Sequence, residues 1–244
     1  MSFSYELFSS SYLLQLHYSY MFPHCIGIIL DGNRRFAKAR GLPTLEGHRR
    51  GYEKVKEIMR WAQEAGISFV IAYAFSTENW NRTPEEVSYL MDLFKEALTR
   101  QVQELKAEGI RVRCIGERER FSPELQKLMK DAEEETTRLP GPTLVLALSY
   151  GGRADIVQAA RRAVREGKMN ITESEFSPLL WTHGIPDPDL IIRTGGEHRL
   201  SGFLTWQSVY SELFFTDTYL PDFSKEEFSA ILTEYAKRER RMGR

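Results

Sequence analysis

Short apolar runs alternate with longer amphipathic segments along this chain. An apolar run bounded by turn residues is typical of a strand buried in a parallel sheet, and apolar residues at helical spacing are typical of a helix packed on such a sheet. The predicted strands are residues 25–30, 68–75, 110–116, 143–150 and 189–194, with 212–215 as a sixth. The predicted helices are residues 46–65, 84–108, 122–138, 153–166, 172–183 and 224–241. This alternation predicts an α/β fold with a mostly parallel central sheet of about six strands, flanked by helices.

The sequence predicts one domain and a short extension before it. No internal repeat, low-complexity tract or linker divides residues 22–244. Residues 1–21 are predicted to form an N-terminal helical extension, because apolar side chains recur there at four-residue spacing: Phe8, Tyr12, Leu16 and Tyr20. This helix either packs on the domain or lies on a membrane surface. The absence of Lys and Arg from it favours packing.

The charge and cysteine content exclude several classes of protein. The formal net charge is −1, from 33 basic and 34 acidic residues, which gives no reason to expect a nucleic-acid partner. Cys25 and Cys114 lie in predicted strands, so we expect buried free thiols in a protein of the reducing cytoplasm. Cys and His do not occur at the spacings of a metal site. No stretch is long and apolar enough to span a membrane.

Polar residues follow four of the predicted strands at the point where each strand ends. Because the carboxyl ends of parallel strands meet at one edge of the sheet, where ligands of such folds bind, we expect these residues to lie close together. They are Asp31, Gly32, Asn33, Arg34 and Arg35 after the first strand; Ser76, Thr77, Glu78, Asn79, Trp80 and Arg82 after the second; Gly151, Gly152 and Arg153 after the fourth; and Arg193, Arg199 and Ser201 after the fifth.

This concentration of arginines predicts a highly anionic ligand, because guanidinium groups suit bidentate phosphate contacts. A carboxylate such as Asp31 among phosphate-binding groups is explained if a metal ion bridges the two. Taken alone, the segment is equally typical of an Asp N-cap followed by a solvated basic turn. His48 either joins the site or is a surface histidine at a helix start, and taken alone the second interpretation is favoured.

Apolar residues lie beside these polar groups. Phe36, Phe75 and Trp80 are close to them in sequence, and the helix at 84–108 together with strand 143–150 could wall an apolar cavity. Such stripes are usually ordinary core. A diphosphate site at the mouth of an apolar slot would, however, suit an isoprenoid diphosphate.

Several familiar phosphate and catalytic motifs are absent. The chain has neither the Gly-rich dinucleotide fingerprint nor a P-loop, and it has no Gly-x-Ser-x-Gly elbow. It also lacks the Asp-Asp-x-x-Asp pattern of all-helical prenyl synthases.

Five segments resemble the signatures of the cis-prenyltransferases, the family of undecaprenyl diphosphate synthase and its polyprenyl relatives. They are residues 31–37 (DGNRRFA) with Gly47 and His48, 73–82 (YAFSTENWNR), 149–153 (SYGGR), 188–201 (PDLIIRTGGEHRLS) and 241–243 (RMG). The resemblance covers about residues 22–244. The chain departs from the family pattern where Arg34 replaces a frequent Gly, Phe36 a frequent Trp, Thr44 a frequent basic residue and Gly202 a usual Asn.

The resemblance implies an enzyme that adds isopentenyl diphosphate to an allylic diphosphate, farnesyl or geranylgeranyl, and creates cis double bonds. The product would be a long, undecaprenyl-like polyprenyl diphosphate, the precursor of a glycosyl carrier lipid. The family pattern also implies dependence on Mg²⁺, a homodimer and peripheral contact with a membrane for product release. Because Ala74 is small and lies near the expected entrance of an apolar product tunnel, we expect a long product.

By the same resemblance, each site residue has an expected role. Asp31 and Asn79 would be catalytic. The allylic diphosphate would be held by Gly32, Asn33, Arg34, Arg35, Phe36, His48, Ser76, Thr77, Glu78, Trp80 and Arg82. Isopentenyl diphosphate would be held by Arg193, Arg199, Leu200 and Ser201, and Mg²⁺ by Asp31 and Glu212. Arg241 and Gly243 would complete the neighbouring subunit's site. An amide is a poor base, so we expect Asn79 to orient the substrate while a diphosphate oxygen takes the proton.

Two other functions remain open at this point. An aspartyl phosphohydrolase also has a nucleophilic Asp after its first strand. Such enzymes normally have a second Asp two residues later, where this chain has Asn33. A noncatalytic partner subunit of a prenyltransferase is the other alternative, although such subunits typically lose motif residues that are present here, namely Asp31, Asn79 and Glu212.

Overall fold

The computed structural model describes residues 22–239 and contains a six-stranded sheet in which all neighbouring strands are parallel. The strands are β1 (Cys25–Ile29), β2 (Phe69–Ser76), β3 (Arg111–Ile115), β4 (Thr143–Tyr150), β5 (Leu190–Arg193) and β6 (Glu212–Phe215). Their order across the sheet is β3-β4-β2-β1-β5-β6. The predicted α/β fold class and all six predicted strands are confirmed, with ends that differ by at most one residue.

Eight α-helices lie within the described residues. They are α1 (Asn33–Ala39), α2 (Thr44–Glu64), α3 (Pro84–Glu96), α4 (Val102–Ala107), α5 (Pro123–Thr136), α6 (Gly152–Arg165), α7 (Glu173–Phe176) and α8 (Lys225–Lys237). Several begin at caps that the sequence provides. The Thr83 hydroxyl accepts from the Glu86 N–H before Pro84, and the Ser122 hydroxyl accepts from the Leu125 N–H before Pro123.

Three predicted helices end differently or are interrupted. The run predicted at 84–108 contains a π-helical turn, Ala97–Gln101, between α3 and α4. The prediction at 172–183 is wrong beyond Phe176, because Pro178 lies in a 3₁₀ turn that follows α7 and cannot continue the α-helical hydrogen bonds. The prediction at 224–241 is too long, since α8 ends at Lys237 and Arg238 is extended.

The four inner strands, β1, β2, β4 and β5, bury both of their faces over most of their length, whereas the edge strands β3 and β6 are partly exposed. Ile26 and Ile28 of β1 point into the larger core, which α2, α3, α5 and α8 complete. Cys25 and Ile29 point into a second core built with Phe203 and Leu204. Burial on both faces explains why the strands read as continuous apolar runs rather than as alternating patterns. Both cysteines are buried and free, as the sequence predicts.

Beyond β1, the chain turns sharply so that Asp31 lies at the carboxyl edge of the sheet. Gly32 has a φ of 99°, and a Cβ at this position would lie 2.9 Å from the backbone Cα of Tyr219. Glycine is therefore required both by the backbone conformation and by the close approach of Tyr219. α1 begins at the next residue, so its first N–H groups face this edge.

Two predictions lie outside the described residues: the helical extension at 1–21 and the partner-site element of Arg241 and Gly243. Within residues 22–239, no helix combines the length and apolar character needed to cross a bilayer.

Candidate active site

Asp31 is the best-anchored polar residue at the carboxyl edge of the sheet. Its Oδ1 accepts from the Gly32 N–H at 2.6 Å and from Arg35 at 3.1 Å, and its Oδ2 accepts from Arg193 at 2.8 Å. Partial burial would raise the pKa of Asp31. The hydrogen bonds from Arg193 and from the Gly32 N–H, with the charge of Arg35, outweigh burial and lower that pKa from its ordinary value. Asp31 is therefore a carboxylate at neutral pH.

Arg193, the last residue of β5, ties the first and fifth strand ends together. Besides contacting Asp31, its Nη1 donates to the Ser201 hydroxyl at 2.9 Å and to the Arg199 carbonyl. The residue is buried, and its Nε has no hydrogen-bond partner within residues 22–239. A buried guanidinium with an unused donor is suited to an incoming anionic oxygen.

A buried acid, Glu86, organises three of the residues predicted to hold the allylic diphosphate. A single oxygen, Oε1, accepts from His48 Nε2 at 2.9 Å and from Arg82 at 3.1 Å, and lies 3.9 Å from Arg34 Nε. Burial lowers the pKa of His48, although the hydrogen bond to Glu86 opposes that shift. His48 is therefore largely neutral at pH 7, with Nε2–H donating to Glu86. The interpretation of His48 as a mere surface histidine is wrong, because its side chain is buried.

Asn79 lies in the 3₁₀ turn after β2, and its orientation is fixed by the backbone. The Ser76 N–H donates to Asn79 Oδ1 at 2.9 Å. Since a backbone N–H can only donate, the carbonyl side of the amide is occupied and its NH₂ is left for other partners. Asn79 lines the same depression as Asp31, Arg193 and Ser201. This geometry agrees with an orienting role and leaves no free basic atom.

The strand ends enclose a cation-lined depression of about 1280 Å³. Its charged lining consists of Asp31, Arg34, Arg35, Lys38, Arg82, Glu197 and Arg199. Glu197 accepts from Arg35 at 3.3 Å and from Arg199, so it holds two of the cations in place. Five fixed cations against two carboxylates favour a ligand with several negative charges.

An apolar cavity of about 860 Å³ adjoins this depression. It extends between α2 and the α3–α4 run, over the sheet, and most of its lining is apolar: Val55, Ala74, Leu90, Leu93, Phe94, Ala97, Leu98, Val102, Leu105, Val112, Leu144, Leu146 and Leu148. Leu30, Asn33 and His48 line both spaces. The cavity therefore opens among the cations.

Some predicted site residues are not brought into these two spaces. Phe36 is buried beneath Arg40, whose guanidinium lies 4.1 Å from the ring centroid. Trp80 packs on Phe75 and Phe121, and its Nε1–H donates to Ser149. These two aromatic residues support the walls from behind.

The remaining members of the predicted binding set lie close by. Thr77 and Glu78 line a neighbouring depression together with Arg153. Ser76 and Ser201 line this neighbouring depression and also the depression that contains Asp31. Leu200 packs against the second core, and its chain neighbour Ser201 has a φ of 51°.

Glu212 does not lie near Asp31 within one chain. In the parallel pair of β5 and β6, Glu212 is opposite Leu190 and Phe215 is opposite Arg193, so Glu212 is at the amino end of its strand. Three strand residues, about 10 Å, separate it from the level of Arg193. Its carboxylate accepts from Arg238 at 2.7 Å. The predicted Asp31–Glu212 metal pair is therefore not formed within a single chain.

The residues around Asp31 fit a magnesium ion that arrives with a diphosphate. Within residues 22–239, no three His, Cys, Asp or Glu side chains are grouped closely enough to hold a metal by themselves. Mg²⁺ at phosphate sites is usually bound by one or two carboxylates together with phosphate oxygens and water. The Asp31 carboxylate, ionised and at the edge of the cation-lined depression, supplies such a ligand.

Four residues of the site were not predicted as such: Lys38, Glu86, Thr194 and Glu197. Thr194 donates to the Asp31 carbonyl at 2.8 Å and so fixes the turn. Glu86 follows Arg82 by four residues, a spacing that indicates an ion pair. An acid in the first turn of a helix is, however, usually explained by its favourable interaction with the helix dipole. Glu197 lies in the predicted loop and could have been found from its position between arginines.

Comparison with known proteins identifies the family of this chain and agrees with its fold. Residues 29–243 match the family model described as "Putative undecaprenyl diphosphate synthase". The chain is 48% identical over 222 residues to an isoprenyl transferase of Chromobacterium violaceum, covering 91% of this chain and 88% of the relative. It is 46% identical to a farnesyl-diphosphate-specific ditrans,polycis-undecaprenyl-diphosphate synthase of Legionella pneumophila, covering 91% and 95% of the two chains.

The structural comparison adds a plant enzyme. Lavandulyl diphosphate synthase from Lavandula x intermedia, solved with dimethylallyl diphosphate, superposes with a TM-score of 0.88 at 36% identity, covering 92% of this chain and 99% of that one. Fold and site thus define a transferase of prenyl diphosphates. The chain belongs to the undecaprenyl diphosphate synthase family, that is, to the cis-prenyltransferases.

Proposed function

We propose that this enzyme condenses isopentenyl diphosphate repeatedly onto an allylic diphosphate, in cis geometry, and releases a long polyprenyl diphosphate. The observation that carries the proposal is the shared lining of the two spaces: Leu30, Asn33 and His48 border both the cation-lined depression and the apolar cavity. A molecule with a diphosphate head and a prenyl tail satisfies both at once. A phosphate ester without a long apolar tail would leave the cavity unfilled.

The allylic substrate would place its diphosphate among Arg34, Arg35 and Arg82, with its tail in the cavity. Breaking the allylic carbon–oxygen bond leaves negative charge on the departing diphosphate. Preorganised cations at the mouth of a cavity that excludes water stabilise that charge more strongly than solvent would. Glu86 and Glu197 hold these arginines in position before the substrate arrives.

Isopentenyl diphosphate would bind on the other side of Asp31, at Arg193, Arg199 and Ser201. Its terminal carbon, C4, forms the new bond to the allylic carbon as the allylic diphosphate leaves, and a proton is then lost from C2 to create the double bond between C2 and C3. Asn79 would orient this substrate through its NH₂ group, since its carbonyl oxygen is already occupied by the Ser76 N–H. The proton would pass to a diphosphate oxygen, because the amide of Asn79 is a poor base.

Mg²⁺ bound by Asp31 and diphosphate oxygens would supply additional charge neutralisation. If Glu212 is also a ligand, it must come from a second copy of the chain, because the two carboxylates of one chain lie at different ends of the sheet. A homodimer is supported by exposed apolar side chains, namely Val157 and Val164 on α6 and Val209 and Tyr210 shortly before β6. The terminal Arg241 and Gly243 would then reach the neighbouring site.

Product length and primer are the finer parts of the proposal. We propose farnesyl or geranylgeranyl diphosphate as primer. We also propose a product of undecaprenyl type, because the small residue Ala74 lines both the cavity and the depression that contains Asp31. The relatives' own names include both a long-chain synthase and a lavandulyl diphosphate synthase. Ala74 is therefore the residue on which the long-product proposal depends.

The decisive experiment uses the purified chain alone. It is incubated with radiolabelled isopentenyl diphosphate and each primer in turn, with Mg²⁺ or with a chelator, and the products are separated by chromatography. Metal-dependent formation of long labelled chains supports the proposal. Hydrolysis of generic phosphate esters without chain growth would indicate a phosphohydrolase, and no turnover without a second protein would indicate a partner subunit.

A further inference from the structure

A ladder of polar contacts closes one side of the apolar cavity. It joins α2 to the helical run α3–α4 through Arg49–Glu96 at 3.9 Å, Gln101–Glu53 at 2.9 Å, Lys56–Glu104 at 3.0 Å and Arg60–Glu108 at 2.6 Å. The residue numbers rise together on both sides, so the two helical runs lie side by side in the same direction. We call these four contacts the polar seam.

Only the middle of the polar seam belongs to the cavity wall. Lys56 and Gln101 line the cavity, whereas Glu53, Arg60 and Glu108 do not. Gln101 is 3% exposed, and the Lys56 side chain is 14% exposed. Glu53 connects the two, because it accepts from Gln101 at 2.9 Å and from Lys56 at 2.7 Å. Here the wall of an otherwise apolar cavity is held by a polar bridge.

The π-helical turn places Gln101 in that wall. In a regular α-helix, Arg100 would lie one turn after Glu96, on the face that meets α2. The turn Ala97–Gln101 contains one extra residue, so Gln101 is directed inwards, while Arg100 remains exposed and pairs with Glu96 at 2.6 Å and with Glu53 at 3.9 Å. The Gln101 amide is therefore buried at a position where an apolar side chain would pack, and its hydrogen bond to Glu53 offsets the cost of that burial.

A polar seam can part at lower cost than an apolar one. Its groups exchange protein partners for water when it opens, whereas separated leucines would only expose apolar surface. Tyr52 strengthens this difference. Its hydroxyl is buried without a partner within residues 22–239, lines the cavity, and is subject to the charges of Glu96, Arg100 and Glu104 across the seam. Water entering at an open seam would satisfy it.

We propose that the bridge Gln101–Glu53–Lys56 is a determinant of product length. The inference rests on the proposed function, since it needs a chain that grows inside the cavity. The growing tail first fills the space between α2 and α3–α4. Further units must displace part of the wall, and the polar seam is the part that yields. A strong bridge confines the tail and ends growth earlier, while a weak bridge lets the tail pass between the helices and allows more condensations.

The test is Glu53→Ala, which removes the shared partner of Gln101 and Lys56 without enlarging the cavity, because Glu53 does not line it. Products made from labelled isopentenyl diphosphate are separated by chain length. We expect the main product to be longer by one isoprene unit or more, with the rate of the first condensation unchanged. The matched control is Glu108→Ala, which breaks a seam contact outside the cavity and should leave the distribution unchanged.

A second variant separates the bridge from simple cavity volume. Gln101→Glu keeps the length and the polarity of the side chain, but its carboxylate cannot donate to Glu53, so it should also lengthen the products. The proposal is overturned if Glu53→Ala, folded as judged by its melting temperature, gives the parent distribution, or if Glu108→Ala produces the same shift. Failure of the proposed function would look different, because the parent enzyme itself would then form no prenyl chains.

Discussion

The apolar cavity opens into the cation-lined depression, and this mouth is built differently from the cavity walls. At the mouth, each functional group is held by directional contacts to a named partner, as Asp31 is by Arg193 and His48 is by Glu86. Along the walls, leucine and other apolar side chains enclose space, and a single polar bridge interrupts them. We therefore expect substitutions at the mouth to lower turnover or substrate binding strongly. Substitutions in the walls should change the length of the product while the reaction continues.

The largest expected effect is at Asp31, on the mouth side of the comparison. Asp31→Ala removes the acceptor of Arg193 and Arg35 together with the proposed magnesium ligand, and turnover should fall by orders of magnitude. The fold should survive, since Asp31 is not part of either apolar core, but the melting temperature should fall because buried Arg193 loses its carboxylate partner. Asp222→Ala is the control, because it removes an acid that pairs with Arg40 outside the site. Near-parental turnover of Asp31→Ala would contradict the assignment.

A second test divides the mouth into its two diphosphate sites. Arg193→Ala and Arg199→Ala should chiefly raise KM for isopentenyl diphosphate, and Arg35→Ala should chiefly raise KM for the primer. Loss of one charge-assisted contact costs about 1.5–3 kcal/mol, or roughly tenfold to a hundredfold in binding. Steady-state kinetics with each substrate varied in turn measures the division. Equal effects of all three variants on both substrates would show that no such division exists.

Glu86 tests whether positioning alone has a kinetic cost. Glu86→Gln keeps the size of the side chain but weakens its hold on His48 and Arg82, so KM for the primer should rise by roughly tenfold, with less effect on isopentenyl diphosphate. Glu46→Gln is a suitable control, because that acid pairs with exposed Arg50 near the start of the same helix as His48. A parental KM in the Glu86 variant would mean that the arginines keep their positions without it.

In the cavity wall, Ala74→Leu should shorten the product without abolishing the condensation reaction. Ala74 lines the apolar cavity and also the depression that contains Asp31, so three added carbons would obstruct the tail near its start. We expect short products with substantial consumption of primer, measured by chromatography. Ala154→Leu adds the same volume in the neighbouring depression lined by Arg153 and should leave product length unchanged. An unaltered distribution in Ala74→Leu would place that side chain outside the path of the tail.

The smallest expected effect is the contribution of His48 to stability at different pH values. Burial lowers the pKa of His48 in the folded chain below its ordinary value of 6.5. The unfolded chain therefore binds more protons in that range, and the contribution is present above pH 6.5 and lost as pH falls through the lowered pKa. The difference in melting temperature between the parent and His48→Gln should shrink from pH 8 to pH 5.5. A constant difference would indicate that His48 does not titrate in this range.

The two regions also differed in how well the sequence predicted them. The strands are confirmed and the polar residues that follow them lie at one edge of the sheet, because both are local patterns and all parallel strands end at one edge. The apolar stripes of 46–65 and 84–108 correctly identified helices, but they could not show that a cavity lies between them. Pro178 is a local sequence signal for the end of α7, whereas no local pattern marks the π-helical turn.

The α/β architecture, the edge at which the site lies and most of the residues that line it can be predicted from the sequence. Which of these residues meet depends on the tertiary structure. Asp31 and Arg193 are 162 positions apart and touch because β1 and β5 are neighbours, and Glu86 reaches His48 because α3 begins beside the start of α2. Glu212 is separated from Asp31 for the same reason, since its position in β6 places it near the opposite edge. Strand order and helix contacts arise from packing summed over the whole chain, which no local pattern contains.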